Sequence, residues 1–223
     1  MITANVWERA VHVLCGGVSG TGFTLDHDGR HYLVTARHVV KSGLPVKVLV
    51  RGKAVPAKLT GLTVPVKEAD VAVFRLDRPI TPPDLPLTAD MDGMIFGQDA
   101  YFLGFPFGVT FDLGDEYFPL VKRCTISGTT QKYEGRTILL LDGWNNRGFS
   151  GGPVVFQPPM AARAWKQWQV AGIVTRYRTE REPVTEAGRR AAPGAEVRLN
   201  TRIIIAEQIT RAMEAIDADT PLR

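Results

Sequence analysis

Short apolar runs recur along this chain at intervals of about ten residues, each closed by glycine, proline or an Asp-Gly pair. GFTL and HYLVTA flank DHDGR, whose Asp-Gly reads as a hairpin turn. PVKVLV, AKLTGL and DVAVFRL follow. After the proline-rich run RPITPPDLPL come DAYFLGF, VKRCTISGTT, RTILLLD, GPVVF and QVAGIVT, with KYEGR as a second hairpin turn. Runs this short cannot alternate with helices in βα units, so the pattern predicts an all-β barrel or sandwich. The 223 residues suffice for one large all-β domain or two small barrels sharing a cleft. The proline-rich run divides the strands into comparable sets: an N-terminal barrel over 1–80, a connection over 81–90 and a second barrel over 91–199.

Two segments depart from the strand texture. Residues 178–196, RTEREPVTEAGRRAAPGAE, are charged, contain Gly and Pro and lack periodicity, which predicts a mobile surface loop. From Asn200 the pattern turns helical, with Ile205, Ile209, Met213 and Ile216 at three- to four-residue spacing. A C-terminal helix is expected over 200–217, capped by Asn200 or Thr201, its apolar stripe serving as a packing face.

A hydrophobic fraction of 44% with 22% charged residues is that of a globular protein. The net charge of +4 reads as a solvated surface, and no basic stripe interleaved with aromatics points to nucleic acid. Cys15 and Cys124 have neither CxxC spacing nor a histidine at metal-ligand distance in sequence, so no metal is expected and two buried free thiols are. Glu8 and Arg9 interrupt the apolar N-terminal stretch, which does not read as a signal peptide, and no window reaches the ~18 apolar residues of a membrane span. A cytoplasmic location without membrane association is the expectation.

The chemistry centres on RGFSGGPVV, residues 147–155. A Gly-x-Ser-x-Gly string fits the nucleophile elbow of an α/β-hydrolase, the serine loop of a β-barrel protease, or an inert glycine turn. A serine nucleophile needs a base within hydrogen-bond reach and an acid to orient that base. His12, His27, His31 and His38 all precede Ser150, which removes the α/β-hydrolase order. The order His, Asp, Ser remains. An Asp, His, Ser order using Asp26 or Asp28 would need a parallel α/β architecture that the strands do not offer. His38 ends the strand-like YLVTA and sits where a barrel rim faces a cleft, whereas His31 and His27 lie at a turn and His12 within a valine-rich strand. Asp70 heads the apolar strand of EADVAVFRL, where a carboxylate costs free energy unless partnered.

TARHVV, ADVAVFRL and GFSGGPVV, in this order, resemble the three signature segments of trypsin-like (chymotrypsin-fold) serine proteases. The compact separations, GTGFTLDHDGRHYLVTARHVV and FLGFPFG are similar to bacterial HtrA-type, short-loop members. The similarity covers most of residues 16–177. It implies two six-stranded antiparallel barrels with the site in their crevice, His38 as general base, Asp70 as its orienter and Ser150 as nucleophile. It also implies an oxyanion hole from the N–H groups of Gly148 and Ser150, and no metal or organic cofactor. Digestive relatives carry aspartate where Phe149 stands and pair it with an N-terminus freed by cleavage; Phe149 argues against that activation, and its ring is expected under the loop. HtrA-type relatives often carry a PDZ domain after the protease domain, where this chain has only the helix.

Specificity follows from the same alignment. Trp144 stands at the position that is acidic in trypsin, so a Lys/Arg preference is not expected; Trp144, Thr175 and Tyr177 are the expected substrate-binding residues. Residues 173–175 are expected to pair with an extended substrate backbone, and Arg176 and Arg178 to favour acidic residues near the cut. The expected partners are a protein or peptide substrate and a regulatory partner protein. Two other readings use the same residues: a peptide-binding or sensor module that keeps the fold, and an esterase with the same triad.

Overall fold

The computed structural model describes residues 2–64, 69–133, 135–158, 167–186, 189–190 and 195–219. The strands fall into two seven-stranded sheets. The first holds β1 (Ala10–Cys15), β2 (Val18–His27), β3 (Arg30–Thr35), β4 (Val46–Val50), β5 (Lys53–Ala54), β6 (Leu59–Leu62) and β7 (Ala72–Leu76), in the order β5-β4-β1-β2-β3-β7-β6. The second draws on β8 (Thr88–Ala89), β9 (Asp99–Gly104), β12 (Leu120–Tyr133), β13 (Arg136–Asp142), β14 (Pro153–Phe156), β15 (Gln169–Pro183) and β18 (Glu196–Gln208). Between β9 and β12 lies the hairpin β10 (Phe111–Leu113) and β11 (Glu116–Phe118); between β15 and β18 lies the small pair β16 (Thr185–Glu186) and β17 (Arg189–Arg190). Two helices flank the strands, α1 (Ala4–Trp7) and α2 (Thr210–Asp219).

The hairpin expected at DHDGR forms. Asp28 and Gly29 both adopt positive φ (46° and 73°), the two-residue turn whose twist matches its strands. Tyr133 pairs with Arg136 to close the second expected hairpin. The two halves differ from the twin six-stranded barrels expected. β14 pairs with both β9 and β15, so the second sheet closes into a ring of six strands with β8 appended. No such pairing joins β5 to β6 among the described residues, and the first sheet is an open half-barrel.

Two expectations near the C-terminus are corrected. Residues 200–208 are strand: β18 pairs with β13 on one side and β15 on the other, and these two ladders override the helical spacing of the isoleucines. The helix begins only at Thr210, so neither Asn200 nor Thr201 caps it. Thr179–Pro183 pair in register with Glu196–Asn200, so the expected loop at 178–196 is a β-arm wherever it is described; residues 187–188 and 191–194 lie outside the described residues. Ile209 and Ile216, from the expected stripe, are buried in a core shared with Phe23, Tyr32 and Val34 of the first half. Arg30 and Arg75 donate to Asp219 at the end of α2, fixing the C-terminal helix to the first sheet.

Candidate active site

The candidate base and acid both come from the first half. Strand β3 ends at Thr35 and the chain turns through a single 3₁₀ turn, Arg37–Val39, which carries His38 out to the seam. The segment entering β7 places Asp70 opposite. Two contacts join His38 to Asp70 and a third comes from the preceding residue: His38 Nδ1 lies 2.7 Å from Asp70 Oδ2, His38 N–H donates to Asp70 Oδ1 at 3.0 Å, and Arg37 N–H donates to the Asp70 carbonyl at 3.2 Å. Both carboxylate oxygens are thereby fixed by one residue. With Nδ1–H donating to the carboxylate, Nε2 is left as the acceptor. Burial pushes the Asp70 carboxyl up, but the hydrogen bonds and charge of His38, with a smaller contribution from Arg176, outweigh it and hold Asp70 below the ordinary carboxylate value. The Arg176 guanidinium stands 3.5 Å from Asp70 Oδ2.

The other histidines are engaged elsewhere: His12 with Ser19 (2.8 Å), His27 with Asp217 (3.1 Å) and His31 with Asp26 (2.6 Å).

The serine loop is supplied by the second half and held by the first. Ser150 O accepts from Thr21 N–H on β2 (2.8 Å), and Gly148 O accepts from Thr21 Oγ1 (2.7 Å). Thr21 Oγ1 accepts in turn from Phe105 N–H (3.1 Å), and Thr21 O accepts from Thr35 Oγ1 (2.6 Å). A buried threonine between two glycines is thus the hub of the loop. Sequence reasoning passed over it, although the string Gly-Thr-Gly was in view. Gly151 (φ +87°) packs so closely that a Cβ would meet Thr21 O at 1.9 Å and Ala36 N at 2.9 Å, which brings the loop against the residues leading to His38.

Gly148 (φ +102°) is held just as tightly, since a Cβ there would meet Phe105 O at 2.3 Å. The preceding carbonyl, Arg147 O, accepts from Phe107 N–H at 3.1 Å. Across a planar trans peptide the N–H points opposite to the carbonyl, so the Gly148 N–H is turned away from Phe107. Neither Gly148 N–H nor Ser150 N–H donates to any group among the described residues. The loop therefore presents two free amides flanking Phe149.

Phe149 is fully buried, edge-on to Phe102 with ring centroids 4.8 Å apart, under the loop as expected. Above it, 5.2 Å from the ring centroid, Lys122 Nζ donates to Trp144 O (2.9 Å) and Asn146 Oδ1 (2.8 Å). Burial lowers the Lys122 pKa. The Ser150 hydroxyl donates to Thr175 O at 3.1 Å; no hydrogen bond joins it to His38 among the described residues.

Asn145, Ser150, Thr175, Tyr177 and neighbouring arginines line a cavity of about 280 Å³ beside the serine. Of the expected substrate-binding residues, Thr175 and Tyr177 are there. Trp144 is not: it is 53% exposed, with the Arg202 guanidinium 6.0 Å from its ring, and the neighbouring Asn145 forms the wall instead. The expected substrate edge also moves. Ile173 pairs with Pro153 on β14, and Val174 exchanges hydrogen bonds with Gly151 and Gly152, so among the described residues the edge of β15 that β14 leaves unpaired starts at Thr175.

One further group touches the acid. Glu207 on β18, 1% exposed, accepts at Oε1 from Asp70 N–H (3.2 Å) and from Arg136 Nη1 on β13 (2.5 Å). This buried ion pair of the second half fixes the backbone of Asp70, and nothing in the isoleucine-rich string around Glu207 signalled it.

Cys15 and Cys124 are both buried and unpaired, one in each half. Burial, with smaller contributions from Asp99 and Asp142, pushes the Cys124 thiol up to about 12. No helix among the described residues is long and apolar enough to cross a membrane.

The family model for the trypsin-like peptidase domain matches residues 20–157, which contain His38, Asp70 and Ser150. The chain belongs to the trypsin-like peptidase family. Its relatives agree with that placement. Protease Do-like 1, chloroplastic, from Arabidopsis thaliana is 29% identical over 141 residues, which cover 61% of this chain and 30% of that protein's length. Among solved structures, Rv3671c from M. tuberculosis H37Rv in an inactive form superposes with a TM-score of 0.61 at 19% identity, covering 97% of this chain and 90% of that one. The HtrA-type protease AlgW with tripeptide gives a TM-score of 0.63 at 21% identity, covering 96% of this chain and 61% of that one. At these identities the structures speak for the fold, which is the chymotrypsin-like one with a C-terminal helix.

Proposed function

We propose that the chain is a serine endopeptidase working through an acyl-enzyme, with His38, Asp70 and Ser150 as its triad. The observation that supports this reading is the hydrogen bond between His38 Nδ1 and an Asp70 carboxylate that the His38 N–H also holds, beside a serine loop packed against the residues leading to His38. A rotation about the Cα–Cβ bond of Ser150 frees Oγ from Thr175 O and turns it toward His38. Oγ then attacks the substrate carbonyl carbon while Nε2 takes its proton. The developing oxyanion meets the free N–H groups of Gly148 and Ser150, which need no reorganisation to receive it. Collapse breaks the C–N bond, His38 returns the proton to the leaving amine, and a water molecule repeats the sequence on the acyl-enzyme. The unpaired edge of β15 from Thr175 offers backbone hydrogen bonds to an extended substrate, antiparallel to the strand.

One observation favours a second reading, a peptide-binding module that has kept the fold: the Ser150 hydroxyl rests on Thr175 O. Labelling with a fluorophosphonate separates the two. The enzyme is expected to take one label per chain, lost in Ser150→Ala, and to cleave a casein-type substrate with turnover reduced on the order of 10⁶-fold by that substitution. An unlabelled, folded wild-type chain leaves the binding module standing.

A further inference from the structure

The cavity beside Ser150 has an unusual charge balance. Every charged side chain lining it is a guanidinium, from Arg147, Arg176 and Arg198, and no carboxylate lines it among the described residues. Arg176 stands 3.5 Å from the Asp70 carboxylate, and further along the same β-arm Arg178 pairs with Glu180 at 3.3 Å and Arg181 with Glu196 at 3.7 Å. Arg198, opposite Arg181 across the arm, has instead a neutral partner, its Nε donating to Thr179 Oγ1 at 2.8 Å. That bond orients the guanidinium and leaves its two terminal nitrogens to other acceptors. Arg147, immediately before the free amide of Gly148, borders both this cavity and the next one along the cleft, lined by Ser19, Phe107 and Gly148. The cavity wall between them is braced, since Asn200 Nδ2 donates to Asn145 O at 2.8 Å.

We propose that this cavity binds the acidic side chain, glutamate or aspartate, of the substrate residue that supplies the scissile carbonyl. The inference rests on Ser150 being the nucleophile. A planar guanidinium matches a carboxylate through paired charge-assisted hydrogen bonds. A lysine or arginine side chain entering here meets like charge. An apolar one strips water from Arg147 and Arg198 and returns no hydrogen bond. The cationic walls also raise the local concentration of acidic peptides before binding.

The test separates recognition from catalysis by measuring peptide affinity in the Ser150→Ala chain. Two peptides are compared that differ only in Glu or Gln at the residue before the expected cut. The Glu peptide is expected to bind about tenfold more tightly, a margin of about 1.4 kcal/mol that shrinks with added salt. In the Ser150→Ala/Arg198→Gln chain the margin is expected to fall to about twofold or less, with the Gln peptide unchanged; Arg147→Gln acts as the second variant, and both side chains are exposed enough to leave the fold intact. Equal affinity for the two peptides, or a Glu margin that survives both substitutions, overturns the proposal. Discrimination in Ser150→Ala alongside no hydrolysis by the wild type refutes the endopeptidase reading alone. Equal cleavage of the two peptides by the wild type refutes the acidic specificity alone.

Discussion

The two halves hold their share of the site by opposite means. The first is an open sheet, and its His38 and Asp70 are tied to each other by two contacts, with a third from Arg37 to Asp70. The second is a closed ring, yet its serine loop depends on Thr21, Thr35 and Ala36 of the other half. The dependence also runs in reverse, because Glu207 of the ring holds the backbone of Asp70. Closure of a barrel therefore does not decide which half is better organised for chemistry. What matters is how many independent hydrogen bonds fix each reacting group, and from which side of the seam they come.

The comparison breaks first at the acid. Asp70→Asn is expected to lower kcat on the order of 10⁴-fold while leaving the fold and the fluorophosphonate-accessible Ser150 in place, because an amide holds the wrong imidazole tautomer. A fall of tenfold or less in steady-state kinetics means that the first half does not contribute its pair to catalysis. Next comes the carboxylate that reaches across the seam. Glu207→Ala removes the buried acceptor of both Asp70 N–H and Arg136 and is expected to cost about 1.5–3 kcal/mol of stability, read from the denaturant midpoint. An unchanged midpoint shows that the halves are not coupled there.

Thr21→Val sharpens the contrast. It removes the hydroxyl that serves Gly148 O and Phe105 N–H, at an expected cost of about 1–3 kcal/mol. It is expected to lower kcat through the serine loop while the low-field imidazole proton signal of His38 stays where it was. A shifted His38 signal means that the pair of His38 and Asp70 depends on Thr21 as well.

The smallest effect concerns acid. The carboxyls of Asp26 and Asp70, in the first half, are held below their ordinary value. Burial pushes Asp26 up, but hydrogen bonds from Arg9 and His31, with their charge, more than offset it. A depressed folded pKa contributes stability at pH above the unfolded value of about 3.9, and that contribution is lost as pH falls through the lower folded value. Asp26→Asn is expected to make unfolding free energy less steep over that acid range in a urea titration series, and an unchanged slope shows that Asp26 carries none of the acid dependence.

Much of this was legible in order and spacing. Four histidines all ahead of Ser150 fix the chain order of any triad, and an Asp-Gly turn between alternating runs fixes the first hairpin, because both depend on residues near each other or on sequence alone. The burial of Phe149 follows likewise from an apolar ring in a glycine-walled loop. The charged stretch at 178–183 misled because its strand state comes from pairing with Glu196–Asn200, a ladder that composition does not encode. Ile205 misled for the same reason: its spacing to Ile209 suits a helix, but ladders on both sides hold it in a strand.

The sequence by itself determined the all-β class and the family, and it named the three side chains of the proposed triad. Only the tertiary structure decided that Thr21 and Glu207 reach across the seam, that Trp144 stands outside the cavity, and that arginines line it. These are contacts between residues far apart in the chain. Their energies depend on distance and burial, which exist only once the two halves have packed.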